Sequence, residues 1–373
     1  MTMAGWRYHN PVDVHFGAGA IEALPGVVGG RTVTLVTFPE AKALGLTARL
    51  QQILGPSLVQ VIDRTEPNPD VASLGALYRS FWTDPKANGG GHVLLAVGGG
   101  SVIDTAKALT VGTADGSFEA LIALLAGGKA FTPARVRPLI AVPTTAGTGS
   151  EVTPWATIWD RAAGQKYSLH LRETWPEAAL VDPELTRSLP AGPTLAAGLD
   201  ALSHALESIW NVNANPVSDT HAVAAARAVI ATLPALMQDL GNPALRSRQA
   251  QAALQAGLAF SNTKTALAHS ISYAMTLQHG LPHGIACSFT LPMVLERAIG
   301  TDLARDAILA SIFDGPLADA PQALADFLEG LGVSTRFDAY GVSAPEAQRL
   351  VTDALDGVRG RNFVGARTAP ALG

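Results

Sequence analysis

The sequence predicts an α/β domain followed by an all-α domain. Two textures and one length carry that expectation. In the first half, short β-branched runs alternate with Gly/Pro breaks and segments of helical period, the pattern of a mostly parallel sheet covered by helices. From about Thr194 onward, Ala/Leu-rich segments repeat at roughly 3.6 residues and strand-like alternation almost vanishes. The 373 residues are too many for one ordinary core and suit two domains of ~100–200 residues each.

Four runs read as strands: Thr32 to Thr37, Leu58 to Ile62, His92 to Val97 and Pro138 to Val142. Their near-continuous apolar character predicts burial on both sheet faces. Pro183, Pro190 and Pro193 punctuate the passage to the second texture, which places the boundary near Asp182-Pro183-Glu184-Leu185 and the domains at 1–184 and 185–373. Beyond it, Leu195 to Trp210, Ser218 to Leu240 and Arg246 to Phe260 read as helices. The tail from Gly357 to Gly373 is irregular and predicts poor order.

Composition narrows the function classes. Hydrophobic residues make up 48% and charged residues 15%, which supplies core material and excludes a solvated, disordered chain. A net charge of −5 gives no electrostatic footprint for nucleic acid or an anionic membrane, so small-molecule partners are expected. The single cysteine, Cys287, allows no internal disulfide, and the start of the chain has no apolar signal-peptide core; both predict a cytoplasmic protein. Alanine-rich stretches such as Ala222 to Ala231 are interrupted by Arg227, so no membrane span of roughly 18–20 apolar residues is expected.

Two turns could hold a ligand. The strand ending at Val97 runs into Gly98-Gly99-Gly100-Ser101-Val102-Ile103-Asp104, where glycines let backbone N–H groups approach an anion and the following helix points its N-terminus at it. A diphosphate would fit there. Alone, such a turn is as readily a tight strand-to-helix connection. The second turn, Pro143 to Thr153, carries six hydrogen-bonding side chains in eleven residues at the carboxyl end of a buried strand, where open α/β sheets bind ligands. The first strand ends in Thr37-Phe38-Pro39-Glu40, so the G-x-G-x-x-G dinucleotide fingerprint is missing from its usual place.

In the helical half, Asp200 and His204 stand one turn apart on one helix face. His269, His279 and His283 follow within one short region. A lone histidine is more often an ordinary core or surface imidazole. Their concentration beside apolar helices points instead to a divalent transition metal, with neutral imidazoles and one carboxylate leaving a net charge of about +1 to polarise a carbonyl. Cys287 reads as a buried small hydrophobe.

Gly98 to Ala108, Pro143 to Thr153, Gly198 to Glu207 and His269 to Pro292 resemble, in order, the signature stretches of the iron-containing (group III) alcohol dehydrogenases. The resemblance implies a Rossmann-like domain for a nicotinamide cofactor, NAD(H) or NADP(H), and a helical domain for the metal, in a dehydroquinate synthase-like architecture with the active site between the two. It implies Fe2+, with Zn2+ as the alternative, held by Asp200, His204, His269 and His283. It places Gly98, Gly99, Gly100 and Ser101 at the pyrophosphate and Thr144, Thr145 and Thr148 at the nicotinamide, with Asp104, Lys166 and Leu185 as further cofactor contacts. A homodimer is the family expectation.

Phe38 stands where many members carry the aspartate that grips the ribose 2′-OH, which predicts weak NAD/NADP discrimination. Tyr273, four residues after His269, stands where several relatives carry a histidine, so the proton relay falls to His279. Ser261 to Thr265 and Ala268 to Tyr273 resemble the phosphonoacetaldehyde reductase branch, with Lys264 as the substrate's anion partner. The expectation is an aldehyde reductase converting phosphonoacetaldehyde to 2-hydroxyethylphosphonate; the alternatives are an alcohol dehydrogenase of another short-chain aldehyde and a dehydroquinate synthase-type lyase.

Overall fold

The computed structural model describes residues 5–86, 89–128 and 131–367. They form two units. One comprises Pro11–Thr145 and Ser150–Thr186, the other Arg187 onward together with Ala146–Gly149 and the segment ending at Asn10. Those two short segments depart from a simple cut at residue 184.

The α/β unit is built on a six-stranded, wholly parallel sheet in the spatial order Asp13–Phe16, Ala178–Val181, Leu139–Pro143, His92–Gly98, Thr32–Thr37, Leu58–Ile62. Every residue of His92–Gly98 is buried, as the unbroken apolar run requires. Val93, Leu95 and Val97 join the core on one face, and Leu94 and Ala96 the core on the other. Each large apolar side chain so buried contributes roughly 1.5–3 kcal/mol before entropy is counted. The four expected strands form within one residue of the expected bounds. Asp13–Phe16 and Ala178–Val181 were not expected, because each is only four residues long. Their pairing with each other and with Leu139–Pro143, not their own pattern, makes them strands. A hairpin of Trp155–Asp160 and Gln165–His170 lies outside the main sheet.

The second unit is helical, and among the described residues its only β pairing is the isolated bridge between Asn211 and Phe363. Its long helices are Ala191–Ile209, Pro216–Gln238 and Pro243–Thr263. All three begin earlier than periodicity suggests, and two of them start from an asparagine cap. Asn215 caps Val217 N and Ser218 N, and Asn242 caps Ala244 N and Leu245 N, each with proline at the first helical position. Pro216–Gln238 is apolar and long enough to cross a membrane by composition alone, with a mean hydropathy of 1.4 over its best window, against the expectation of no such segment. Here it packs between the two other long helices and buries Ala222, Ala225, Ala226 and Val229.

The tail corrects another expectation. Up to Arg367 it is held by short 3-10 turns at Gly360–Asn362 and Val364–Arg367, by Val212 N donating to Asn362 O, and by Asn362 Nδ2 donating to Thr265 O. The remainder of that tail, residues 368–373, lies outside the described residues.

Candidate metal centre and nucleotide turn

Asp200 and His204 sit one turn apart in Ala191–Ile209, and His269 opens the helix Leu267–His279. His283 begins the short helix His283–Ser288, whose next residue fixes its depth. A Cβ on Gly284 would run into the Ala196 carbonyl oxygen, so only glycine lets this helix lie against Ala191–Ile209 and bring His283 to Asp200.

Around Asp200 Oδ1 stand His269 Nε2 at 3.5 Å, His204 Nδ1 at 3.9 Å and His283 Nε2 at 3.9 Å. Donors bound tetrahedrally to a transition metal lie about 3.4 Å apart, so these spacings suit one cation in their midst. Asp200 Oδ1, His204 Nδ1 and His269 Nε2 are buried with no hydrogen-bond partner among the described residues, a costly arrangement that a cation would relieve. The His204 ring is held between Phe260, stacked at 4.0 Å, and His269 at 4.6 Å.

Electrostatics point the same way. Burial pulls His204 down to about 4, leaving a neutral imidazole suited to ligation. Burial would raise Asp200, yet His204, His269 and His283 hold it well below the carboxylate range. Burial would also lower His269 and His283. Around His269 the Cys287 thiol, Glu207 and Asp200 outweigh it, and around His283 the Cys287 thiol and Asp200 do. The cluster thus favours positive charge, which a divalent cation supplies.

The sequence did not single out Glu207. Its fully buried carboxylate accepts from His269 Nδ1 at 2.6 Å and from the backbone N–H groups of Ala266 and His269. Accepting at Nδ1 fixes the tautomer that leaves Nε2 open toward Asp200. Its position one turn after Ser203, on the helix that carries Asp200 and His204, was the available signal.

Cys287 is buried as expected, but beside charged groups. Asp200, His269, His283 and Cys287 each offer a donor atom within 4.8 Å of the others. The thiol lies 3.5 Å from His283 Nε2, and although burial would raise it, His269 and His283 bring it down to about 7. It faces a polar cluster, not only an apolar core.

Other expected residues are not among these converging donors. His279, expected as proton relay, ends its helix with Nε2 3.2 Å from Glu346 Oε1 and is not among the converging donors. Lys264 follows the last turn of Pro243–Thr263 with φ of 69°, its side chain exposed and its carbonyl accepting from Asn211 Nδ2. Tyr273 lies one turn after His269, and the Arg359 guanidinium stands 4.8 Å over its ring while Arg359 Nε donates to Thr265 Oγ1. Arg359 falls in the irregular tail, where no local sequence pattern marks it.

In the α/β unit, Gly99 caps the helix Gly100–Thr110, whose first turn holds no acidic side chain. A Cβ on Gly98 would meet the Val102 side chain at 2.5 Å, so the tight turn needs glycine there. Ser101 Oγ accepts from Asn68 N, and Thr144 N donates to Gly98 O, joining the two turns. Thr145 packs beside Gly99. Thr148 belongs with the helical unit, Lys166 lies 6.0 Å from the Trp159 ring, and Leu185 packs against the core cluster that includes Leu180. Phe38 follows its strand and packs on both cores.

Asp104 is engaged within the chain. Its oxygens accept from Ser150 Oγ and Thr157 N, each at 2.9 Å, so the carboxylate braces the turn from within. Lys107 does likewise. Its buried ammonium donates to Ser150 O, Ser150 Oγ and Trp155 O.

Residues 11–183 match the family described as iron-containing alcohol dehydrogenase, and residues 194–369 match the Fe-containing alcohol dehydrogenase family, C-terminal. The chain belongs to the iron-containing alcohol dehydrogenases. It is 29% identical to the sulfoacetaldehyde reductase of Bilophila wadsworthia, over 91% of this chain and 89% of that protein. It is 36% identical to the phosphonoacetaldehyde reductase of Streptomyces viridochromogenes, over 65% of this chain and 60% of that one. Among solved structures, sulfoacetaldehyde reductase from Bifidobacterium kashiwanohense in complex with NAD+ superposes with a TM-score of 0.87 at 29% identity, covering 96% of this chain and 94% of the other. Within this family, the parallel-sheet unit and the helical unit have the expected fold class.

Proposed function

We propose that this iron-containing alcohol dehydrogenase is an NAD(P)H-dependent reductase of a short aldehyde bearing an anionic group, with phosphonoacetaldehyde as the leading substrate and 2-hydroxyethylphosphonate as product. The observation that carries the redox reading is the convergence of unpartnered Asp200, His204 and His269 atoms, with His283, on one point. These four residues would hold Fe2+ or Zn2+. The bound cation supplies Lewis-acid polarisation of the carbonyl.

The chain's own groups do the rest. Glu207 holds His269 in the ligating tautomer. The Gly98, Gly99, Gly100 and Ser101 turn presents a helix N-terminus to the cofactor pyrophosphate, while Thr144, Thr145, Thr148, Lys166 and Leu185 would line the rest of the cofactor. Phe38 offers no acceptor to a ribose hydroxyl and no repulsion to a 2′-phosphate. Lys264 and Arg359 would meet the substrate's anion, Arg359 with its guanidinium already oriented by Tyr273 and Thr265. His279, paired with Glu346, would relay the proton that the product alcohol gains. The names of the sulfoacetaldehyde and phosphonoacetaldehyde reductases support an anionic aldehyde. The reading carries with it a cytoplasmic homodimer.

The test compares phosphonoacetaldehyde with propanal and butanal under one metal and one cofactor. The expected advantage of the anion is roughly ten- to a hundred-fold in kcat/KM, lost in Lys264→Ala or Arg359→Ala while neutral aldehydes are spared. Equal efficiency on all three would return the substrate to a neutral short-chain aldehyde. Absence of NADH or NADPH turnover on every aldehyde would reject the reductase.

A further inference from the structure

Cys287 is the one cysteine of the chain, fully buried, and the redox reading gives it no task. Its helix, His283–Ser288, sets positions 283 and 287 on one face, a turn apart. Gly284 presses that helix onto Ala191–Ile209, which carries the thiol toward Asp200 along with His283. The donor atoms of Cys287, Asp200, His269 and His283 all lie within 4.8 Å of one another, while two of the other three groups, Asp200 and His269, present buried atoms with no hydrogen-bond partner among the described residues.

We infer that Cys287 is a thiolate donor to the divalent cation of this centre, so that the ligand set mixes sulfur with the carboxylate and imidazoles. The inference rests on the metal reading above and adds to it a ligand that the Asp200, His204, His269 and His283 set does not contain. On binding, the Sγ–H proton passes to solvent and the sulfur lone pair forms the bond to the cation. Counting Asp200 and Cys287 as anions against a divalent cation, with neutral imidazoles, brings the centre from a net charge of about +1 to about 0. A thiolate favours softer ions, so the centre should select Zn2+, Co2+ or Cd2+ over Mn2+ more strongly than an oxygen and nitrogen set would.

The alternative is a thiol that only hydrogen-bonds His283 and never touches the ion. Cobalt(II) separates the two, because a thiolate bound to Co2+ gives an intense near-ultraviolet charge-transfer band that carboxylate and imidazole do not. With one cysteine in the chain, such a band has one source. The full chain, stripped of metal and loaded anaerobically with Co2+, should bind one ion and show the band. Cys287→Ser should still bind cobalt through the remaining ligands and lose the band, with Cys287→Ala as a second variant should the serine misfold.

Cobalt bound at one per chain without the band overturns the thiolate and leaves the metal centre standing. A band that persists in Cys287→Ser overturns it too. No cobalt bound at all overturns the metal centre and the thiolate together.

Discussion

Two regions of this protein bury charge, and they treat it in opposite ways. Beside the glycine turn at Gly98 to Ser101, Lys107 donates to Ser150 O, Ser150 Oγ and Trp155 O, and Asp104 accepts from Ser150 and Thr157. In the helical unit, Asp200, His204 and His269 each keep a buried polar atom without a hydrogen-bond partner among the described residues. An unmade hydrogen bond to a buried polar group costs roughly 1–3 kcal/mol, so the first arrangement stabilises the fold while the second is tolerable only if a ligand completes it. Both look alike in sequence, as charged residues in apolar surroundings. What separates a brace from a binding site is whether the chain itself satisfies the group.

The strongest way to break this contrast is to remove a ligand. His283→Ala should weaken metal binding by more than the roughly 100-fold that losing a supporting group costs, with little change in the melting of the α/β unit. Metal analysis and calorimetry read the two effects, and full metal content in the variant would refute the ligand set.

Lys107→Met should do the reverse. It leaves the half-buried Asp104 without its neighbouring cation and Ser150 O and Trp155 O without their donor, a loss of about 3–5 kcal/mol in denaturant unfolding, while metal content per folded chain stays the same. If metal were lost instead, the brace would be part of the centre.

Glu151 sharpens the comparison through pH. Burial holds its carboxyl up at about 7 against an ordinary value of 4.5. Between those values the unfolded chain is ionised there while the folded chain keeps its proton, so stability falls as pH rises through that window, by about 3 kcal/mol at most. Glu151→Gln should flatten that fall in urea unfolding followed from about pH 5 to pH 7.5; an unchanged slope would place its origin elsewhere.

Glu207→Gln offers a neutral amide to His269 Nδ1 in place of an anion. Metal affinity should drop about 10- to 100-fold while the helical fold persists, as circular dichroism would check. The smallest effect concerns Phe38. Phe38→Asp should shift the NADH/NADPH ratio of kcat/KM toward NADH by roughly tenfold, because a carboxylate accepts from the 2′-OH and repels a 2′-phosphate. An unchanged ratio would show that this side chain serves only the two cores it packs against.

Much of this was legible in the chain itself. The buried strands His92–Gly98 and Leu139–Pro143 declare themselves by unbroken apolar runs, and Asp200 with His204 by a one-turn spacing. Such patterns are local, with the period of a single element. The strand Asp13–Phe16, the engagement of Asp104 with Ser150, and the positions of Glu207 and Cys287 against His269 are not local. They join residues separated by tens or hundreds of positions, and no periodicity encodes such a meeting. Sequence determined which elements form and which residue types could ligate a cation. Tertiary packing decided which of those groups are satisfied from within and which are left facing one another, because a hydrogen bond is fixed by distance and direction in space, and these are set only when helices such as His283–Ser288 and Ala191–Ile209 close on each other.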